Sequence, residues 1–340
     1  MATPGASEPS PAQFGGLRYW FRPAPPARDP AALLVAVHGV RRRPLELLET
    51  FAPLAAAQPC HLLVPWFESP RHSDYQRLGR PGLGQRADLH LIALVQMLGQ
   101  QHAMQHQRML LFGHSAGAQF VHRFVFAHPE RVRRYALGAA GWYTLPDEQQ
   151  EFPLGTRHAL PGFPRLSPER FLRVPAQVFV GSRERASGPT LRRDPLLDRI
   201  QGVDRLQRAT RWAQAMNQAA RSRGLAPPVG VRRLPGAAHS FSGLVRRAGL
   251  AHQVWRFLFG ACPCGCASDM WIDDESSWDV QAADGGADDH SIARGPGRAQ
   301  PAPRGGPGNN SGAALHFLER QAPVAGCEVV PQRGAGGAGG

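Results

Sequence analysis

The chain has 340 residues, of which 42% are hydrophobic, 19% charged and 8% aromatic; this is enough apolar material for one large core or two modest ones, and it excludes general disorder and a disulfide-stapled miniature. The formal net charge is +13, yet all 39 basic side chains are Arg, with 34 Arg against 16 acids in residues 1–260 and 5 against 10 in residues 261–340. No helix-turn-helix signature, zinc-finger spacing or basic stripe interleaved with aromatics accompanies that charge, so the expectation is no specific nucleic-acid binding, only weak attraction to polyanions at low salt.

Residues 1–16 are rich in Pro, Ala and Ser and read as a flexible N-terminus. With no run of about 18 apolar residues and no secretory leader, no membrane span is expected and the protein is expected to be cytoplasmic. From Leu17 the pattern alternates short apolar runs with amphipathic stretches, which predicts an α/β domain with a mainly parallel sheet over residues 17–260. In order, the expected elements are a strand over Leu33–Val37, a helix over Pro44–Gln58, a strand over Cys60–Trp66, a helix over Ala87–Gly99 and a strand over Met109–Phe112. A helix over Ala116–Ala127, strands over Arg134–Ala139 and Ala176–Val180, an amphipathic helix near Val203–Arg221, a strand over Val229–Leu234 and a closing helix over Leu244–Phe259 follow. The apolar stripe Leu206, Ala209, Trp212, Ala213 and Met216 reads as core or lid packing. Two insertions, Tyr143–Arg173 and Arg185–Pro228, are expected to roof the site. Residues 261–340, where 22 of 80 are Gly or Pro, read as a disordered tail. Cys262, Cys264 and Cys266 fall in a C-x-C-x-C run without a second ligand pair, so no metal site is expected.

The strongest local signal is Gly113-His114-Ser115-Ala116-Gly117, a G-x-S-x-G between an apolar strand and a helix. Small flanking residues let a serine occupy a sharp strand-to-helix turn, and the helix that follows directs backbone N–H groups at a developing oxyanion. Ser115 is the expected nucleophile. His239, in the loop between the last strand and the closing helix, is the expected base; His114, His128, His158 and His252 lack that placement. The acid is expected at Glu184, three residues past Gly181 at the end of a strand, with Asp194, Asp198 and Asp147 as alternatives. His38-Gly39-Val40 follows the first long strand, so the N–H of Val40 or Arg41 is expected to join that of Ala116 in an oxyanion hole. The adjacent Arg41-Arg42-Arg43 run reads either as a solvated charge cluster or as a preference for an anionic substrate group.

On these motifs the chain resembles the α/β-hydrolase superfamily from about Leu17 to Gly260. More narrowly it is similar to bacterial esterase and polyhydroxybutyrate-depolymerase-like hydrolases, in the stretches Gln76-Arg77-Leu78-Gly79, Arg86-Ala87-Asp88 and Ala140-Gly141-Trp142-Tyr143-Thr144-Leu145-Pro146. The resemblance implies a serine hydrolase acting on small carboxylic esters through an acyl-enzyme, with no cofactor, and it implies pocket walls at Trp66, Phe67, His114, Trp142 and Tyr143. The family's acid is more often Asp than Glu, so Glu184 is a departure. The same triad serves an acyltransferase, and a hydrolase fold without activity serves as a binding module; product analysis with alcohol acceptors separates the first from hydrolysis, and covalent labelling of the serine separates the second.

Overall fold

The computed structural model describes residues 10–26, 29–102, 104–157, 162–163, 165–184 and 191–260. The expectations for residues 261–340, a disordered tail and the cysteine run within it, lie outside the described residues, as do residues 1–9 and His158. The described part is built on one eight-stranded sheet: β1 (Ala12–Phe14), β2 (Leu17–Arg22), β3 (Ala31–Val37), β4 (Cys60–Trp66), β5 (Met104–His114), β6 (Val132–Gly138), β7 (Ala176–Gly181) and β8 (Val229–Leu234), in spatial order β1-β2-β4-β3-β5-β6-β7-β8. The last six strands in that order run parallel, and β1 and β2 are antiparallel additions at one edge.

The parallel strands form because their sequences are apolar on both faces, as a sheet covered on two sides requires. Along β3, Leu33, Val35 and Val37 point into one core while Leu34 and Ala36 point into the other. Helices α1 (Pro44–Ala56), α7 (Phe241–Ala248) and α8 (Leu250–Phe259) cover the second face through Leu47, Phe51, Leu244 and Trp255. Helices α2 (Ala87–Gln101), α3 (Ala116–Ala127), α4 (Pro168–Phe171) and α6 (Arg205–Arg221) cover the first, through Leu91, Phe120, Phe171 and the stripe Leu206, Ala209, Trp212, Ala213 and Met216. The short α5 (Pro195–Gln201) precedes α6. No described helix is long and apolar enough to cross a membrane.

Several boundaries differ from expectation for local reasons. The sheet begins at Ala12, ahead of the expected Leu17 start, because β1 pairs with β2 around the Gly15-Gly16 turn. The closing helix is two helices, α7 and α8, because Gly249 adopts a left-handed conformation (φ 61°) that ends the first. β5 starts five residues early at Met104, where Met104 and Gln105 pair with Ala31 and Ala32 before the register shifts toward Leu34.

The consequence for function is positional. The carboxyl ends of β3, β5, β7 and β8 open onto His38-Gly39, Ser115, Glu184 and His239 respectively. In open α/β sheets this is the rim where loops from different strands converge on a ligand.

Candidate active site

Ser115 sits between β5 and α3 with φ 56° and ψ −112°, a region that a residue with a side chain enters only under strain. Two hydrogen bonds and the glycines on either side hold it there. Its N–H donates to the Gly138 carbonyl of β6 at 2.7 Å, its carbonyl accepts from Gln119 in α3 at 3.1 Å, and the glycines on either side admit a close crossing of chain. A Cβ at Gly113 would collide with the carbonyl of Gly117, and one at Gly117 with the carbonyl of Val37 on β3. The G-x-S-x-G spacing is therefore a steric requirement of this turn.

The side chain of Ser115 meets His239, whose Nε2 lies 3.1 Å from the serine Oγ while Nδ1 lies 2.9 Å from Glu184 Oε2. The two loops that carry His239 and Glu184 are sewn together. The Arg183 N–H donates to the Ala237 carbonyl at 3.0 Å, the Ser182 N–H to the Leu234 carbonyl at 2.9 Å, and the Gly236 N–H to Ser182 Oγ at 2.9 Å. Glu184 is almost fully buried, and its second oxygen accepts from the Gly181 N–H at 3.3 Å. The alternative acids are engaged elsewhere: Asp194 caps α5, Asp198 pairs with Arg208 at 2.6 Å, and Asp147 accepts from the Gln149 N–H and from Gln150.

Sequence reasoning missed Arg205. The first residue of α6, it is buried, and its Nε lies 3.6 Å from Glu184 Oε2. Its charge in the sequence reads as an ordinary solvent-facing helix residue, and only the fold places it behind Glu184. Burial lowers its pKa, opposed by the adjacent Glu184 carboxylate.

The His38-Gly39-Val40 loop lies directly against the serine: a Cβ at Gly39 would stand 3.5 Å from Ser115 Cβ. A turn closed by the Arg42 N–H on the Gly39 carbonyl at 2.9 Å spans Val40 and Arg41. His38 anchors this turn from below. Its Nε2 accepts from the Phe67 N–H at 3.0 Å, which makes Nδ1 the donor to the Gly39 carbonyl at 2.9 Å. Tyr75 donates to the His38 carbonyl at 2.9 Å, and Arg42 to the Phe67 carbonyl at 2.8 Å. Burial pushes the His38 imidazole down to about 4, so the ring is neutral around pH 7.

A cavity of about 430 Å³ opens beside these groups. It is lined by the His38–Arg43 loop, Glu46 and Leu47 of α1, His114, Ser115, Arg183, Glu184, Arg205 and the Ala238–Ser242 segment. Of the five residues expected as pocket walls, His114 is there, with its ring 5.1 Å from that of His239 and its pKa lowered by burial and by His239. The other four are not. Trp66 stacks near Trp20 and under Arg18 at the antiparallel edge. Phe67 is buried against Tyr75 and Phe120, Trp142 lies beneath Arg123, and Tyr143 stacks on Trp212 at 4.8 Å. Phe67, Trp142 and Tyr143 are drawn inward by packing, and Trp66 is half-buried at the sheet edge. Similarly, from the two insertions expected to roof the site, Arg205 alone among the described residues lines the cavity.

Two of the stretches that carried the family resemblance contribute to buried ion-pair clusters. Asp74 takes Arg77 and Arg80, and Asp88, fully buried, takes Arg86 at 2.6 Å and His128 at 2.8 Å. Burial alone would raise the Asp88 carboxyl, but the Arg86 guanidinium and the His128 ring outweigh it and hold it below the usual range. Among the described residues no group of three or more His, Cys, Asp or Glu side chains is arranged to hold a metal ion.

No protein-family model and no curated protein matches the chain. Solved structures do. A poly(aspartic acid) hydrolase from Sphingomonas sp. KT-1 superposes with a TM-score of 0.62 at 21% identity, covering 73% of this chain and 99% of that one. A poly(3-hydroxybutyrate) depolymerase from Bordetella parapertussis superposes with a TM-score of 0.58 at 25% identity, covering 73% of this chain and 84% of that one. The mostly parallel eight-stranded sheet, its helical layers and these superpositions together identify the chain as an α/β-hydrolase-fold protein.

Proposed function

We propose that the protein is a serine hydrolase that cleaves carboxylic esters through an acyl-enzyme. The observation that carries this reading is the unbroken relay from Ser115 Oγ to His239 Nε2 and from His239 Nδ1 to Glu184, at 3.1 and 2.9 Å, behind a strained serine that opens on a cavity. The similarity to a protein named as a poly(3-hydroxybutyrate) depolymerase supports an ester as the bond cleaved.

In this mechanism Ser115 Oγ attacks the ester carbonyl carbon as His239 Nε2 takes its proton. Glu184 holds the Nδ1–H tautomer and stabilises the imidazolium that forms. The oxyanion rests on the Ala116 N–H at the start of α3 and on the N–H groups of the Val40–Arg41 turn. Collapse of the tetrahedral intermediate breaks the carbon–oxygen bond, and His239 protonates the departing alcohol. His239 then removes a proton from water, which attacks the acyl-serine and releases the carboxylic acid. Apart from the ester and the attacking water, every group in these steps belongs to the chain.

The test is labelling with a fluorophosphonate probe together with turnover of p-nitrophenyl butyrate. The wild-type chain is expected to label and turn over. Ser115→Ala is expected to do neither, and His239→Ala to lose about 10⁶-fold in kcat while keeping its circular dichroism. Turnover that survives Ser115→Ala overturns the reading.

A further inference from the structure

The cavity carries more positive charge than ester cleavage requires. Five of its lining residues are cationic, namely Arg41, Arg42, Arg43, Arg183 and Arg205, against the carboxylates of Glu46 and Glu184. Two of these charges are matched within the wall: Arg43 pairs with Glu46 at 3.0 Å and Arg205 faces Glu184 at 3.6 Å. Arg42 bonds a carbonyl and lies over the Tyr75 ring, which leaves its charge uncompensated. Arg41 and Arg183 are exposed at the mouth, and neither meets a carboxylate among the described residues. Three guanidinium charges therefore remain.

The backbone adds to them with the same sign. The N-caps of α1, α3 and α7, namely Arg43, Ser115 and Ser240, all stand in the cavity wall. Each helix start carries roughly half a positive charge. Low-dielectric walls focus such a field into the cleft. The scissile ester is neutral, and its oxyanion is served by two or three N–H groups, so the remaining field acts on another part of the substrate. Hydrolysis of an oligoester leaves one anion on each acid fragment, a carboxylate.

We propose that the substrate carries a free carboxylate in addition to its scissile ester, and that Arg41, Arg42 and Arg183 form the subsite that receives it. The inference rests on Ser115 being the nucleophile of an esterase. It adds a specificity that the triad does not dictate, since guanidinium pairs carboxylate in a fork geometry while an apolar acyl chain gains nothing from it.

The test compares monomethyl adipate with methyl hexanoate, which share the acyl length and differ in ending in a carboxylate or a methyl group. Methanol release by the full chain is followed at about pH 7.5, where the carboxylate is ionised. At low ionic strength kcat/KM is expected to be about tenfold or more higher for the monoanion, through KM, and the ratio is expected to fall at about 0.5 M salt as screening shortens the field. Arg183→Glu is expected to bring the ratio near one, whereas Arg247→Gln, an exposed arginine outside the cavity wall, is expected to leave it unchanged. Equal rates on the two esters, or a preference untouched by Arg183→Glu, overturn the subsite. If methyl hexanoate is turned over and Ser115 labels normally without such a preference, the subsite alone fails. If neither ester is cleaved and Ser115 does not label, the esterase reading fails and takes this inference with it.

Discussion

Ser115 concentrates backbone strain, a helix start and a hydrogen-bond relay in one residue. Its φ of 56° stores about 1–3 kcal/mol, which glycine at the same place would release, less about 0.5–1 kcal/mol of extra chain entropy. Ser115→Gly is therefore expected to be inactive yet to melt at the same temperature as the wild type or higher; a lower Tm by calorimetry would count against stored strain. Glu184→Gln acts in two ways. It removes the charge that supports the imidazolium, with an expected fall in kcat of about 10³–10⁴-fold, and it leaves the buried Arg205 facing a neutral amide, with an expected loss of about 3 kcal/mol in a urea titration. His38 gives a pH dependence with a definite sign. The unfolded ring titrates near 6.5 and the folded one at about 4, so protons favour the unfolded chain as pH falls between these values and about 3 kcal/mol is lost across that window. The buried His72, pushed down to about 4 largely by burial, shares the window, whereas the Asp88 cluster begins to weaken only below about pH 4. Urea midpoints measured at pH 7, 5 and 4 should fall progressively, and His38→Gln should flatten the slope. At this scale the sequence was legible wherever a residue had to sit at a fixed place on a strand end, as Ser115, Glu184 and His239 do. It was illegible for Arg205, whose place exists only once α6 is folded against the Glu184 loop, and misleading for Phe67, Trp142 and Tyr143, whose burial energy exceeds what a solvent-facing pocket wall would return, and for Trp66, which packs at the sheet edge.

At the scale of elements, the junction of β3, β5 and α3 is the most demanding part of the fold. α3 crosses the carbonyl of Val37 so closely that a single methyl group at Gly117 has nowhere to go. Gly117→Ala is expected to cost more than about 3 kcal/mol or to give no soluble product, and because the obstruction is backbone, side-chain adjustment nearby is not expected to rescue it; wild-type stability by thermal melting would refute the close crossing. The parallel strands and their helices were readable because continuous apolar runs and helical stripes have few other interpretations. β1 and β2 were not. At the sheet edge β2 has only six residues, and its alternation of buried and partly exposed positions breaks where Tyr19 and Trp20 are both buried, while β1 has three residues with none fully buried, so neither writes a periodic signal above that of a loop. The break between α7 and α8 was hidden for the opposite reason, since apolar periodicity continues across Gly249 and only the backbone conformation there records the stop.

Over the whole described molecule, two cores on opposite faces of one sheet are joined through strands that contribute alternate side chains to each. Fold class was therefore the most legible property of the sequence. The distribution of charge was legible as a number, but its concentration around one cavity was not, because Arg41–Arg43, Arg183 and Arg205 are far apart along the chain. The order of strands has one more consequence. Ser115 follows β5 in the middle of the sheet, whereas His239 follows β8, the outermost strand, three strands further on. Ser115 thus follows a strand paired on both sides, and His239 follows one with a neighbour on one side only, an edge whose Arg232 and Arg233 discourage pairing with another chain; strand edges are where local opening is expected to start. Catalytic competence becomes a gauge of fraying at that border. In a urea series activity is expected to vanish at a lower midpoint than the fluorescence of the buried Trp212 and Trp255, whereas coincident curves would mean that the edge and the interior yield as one.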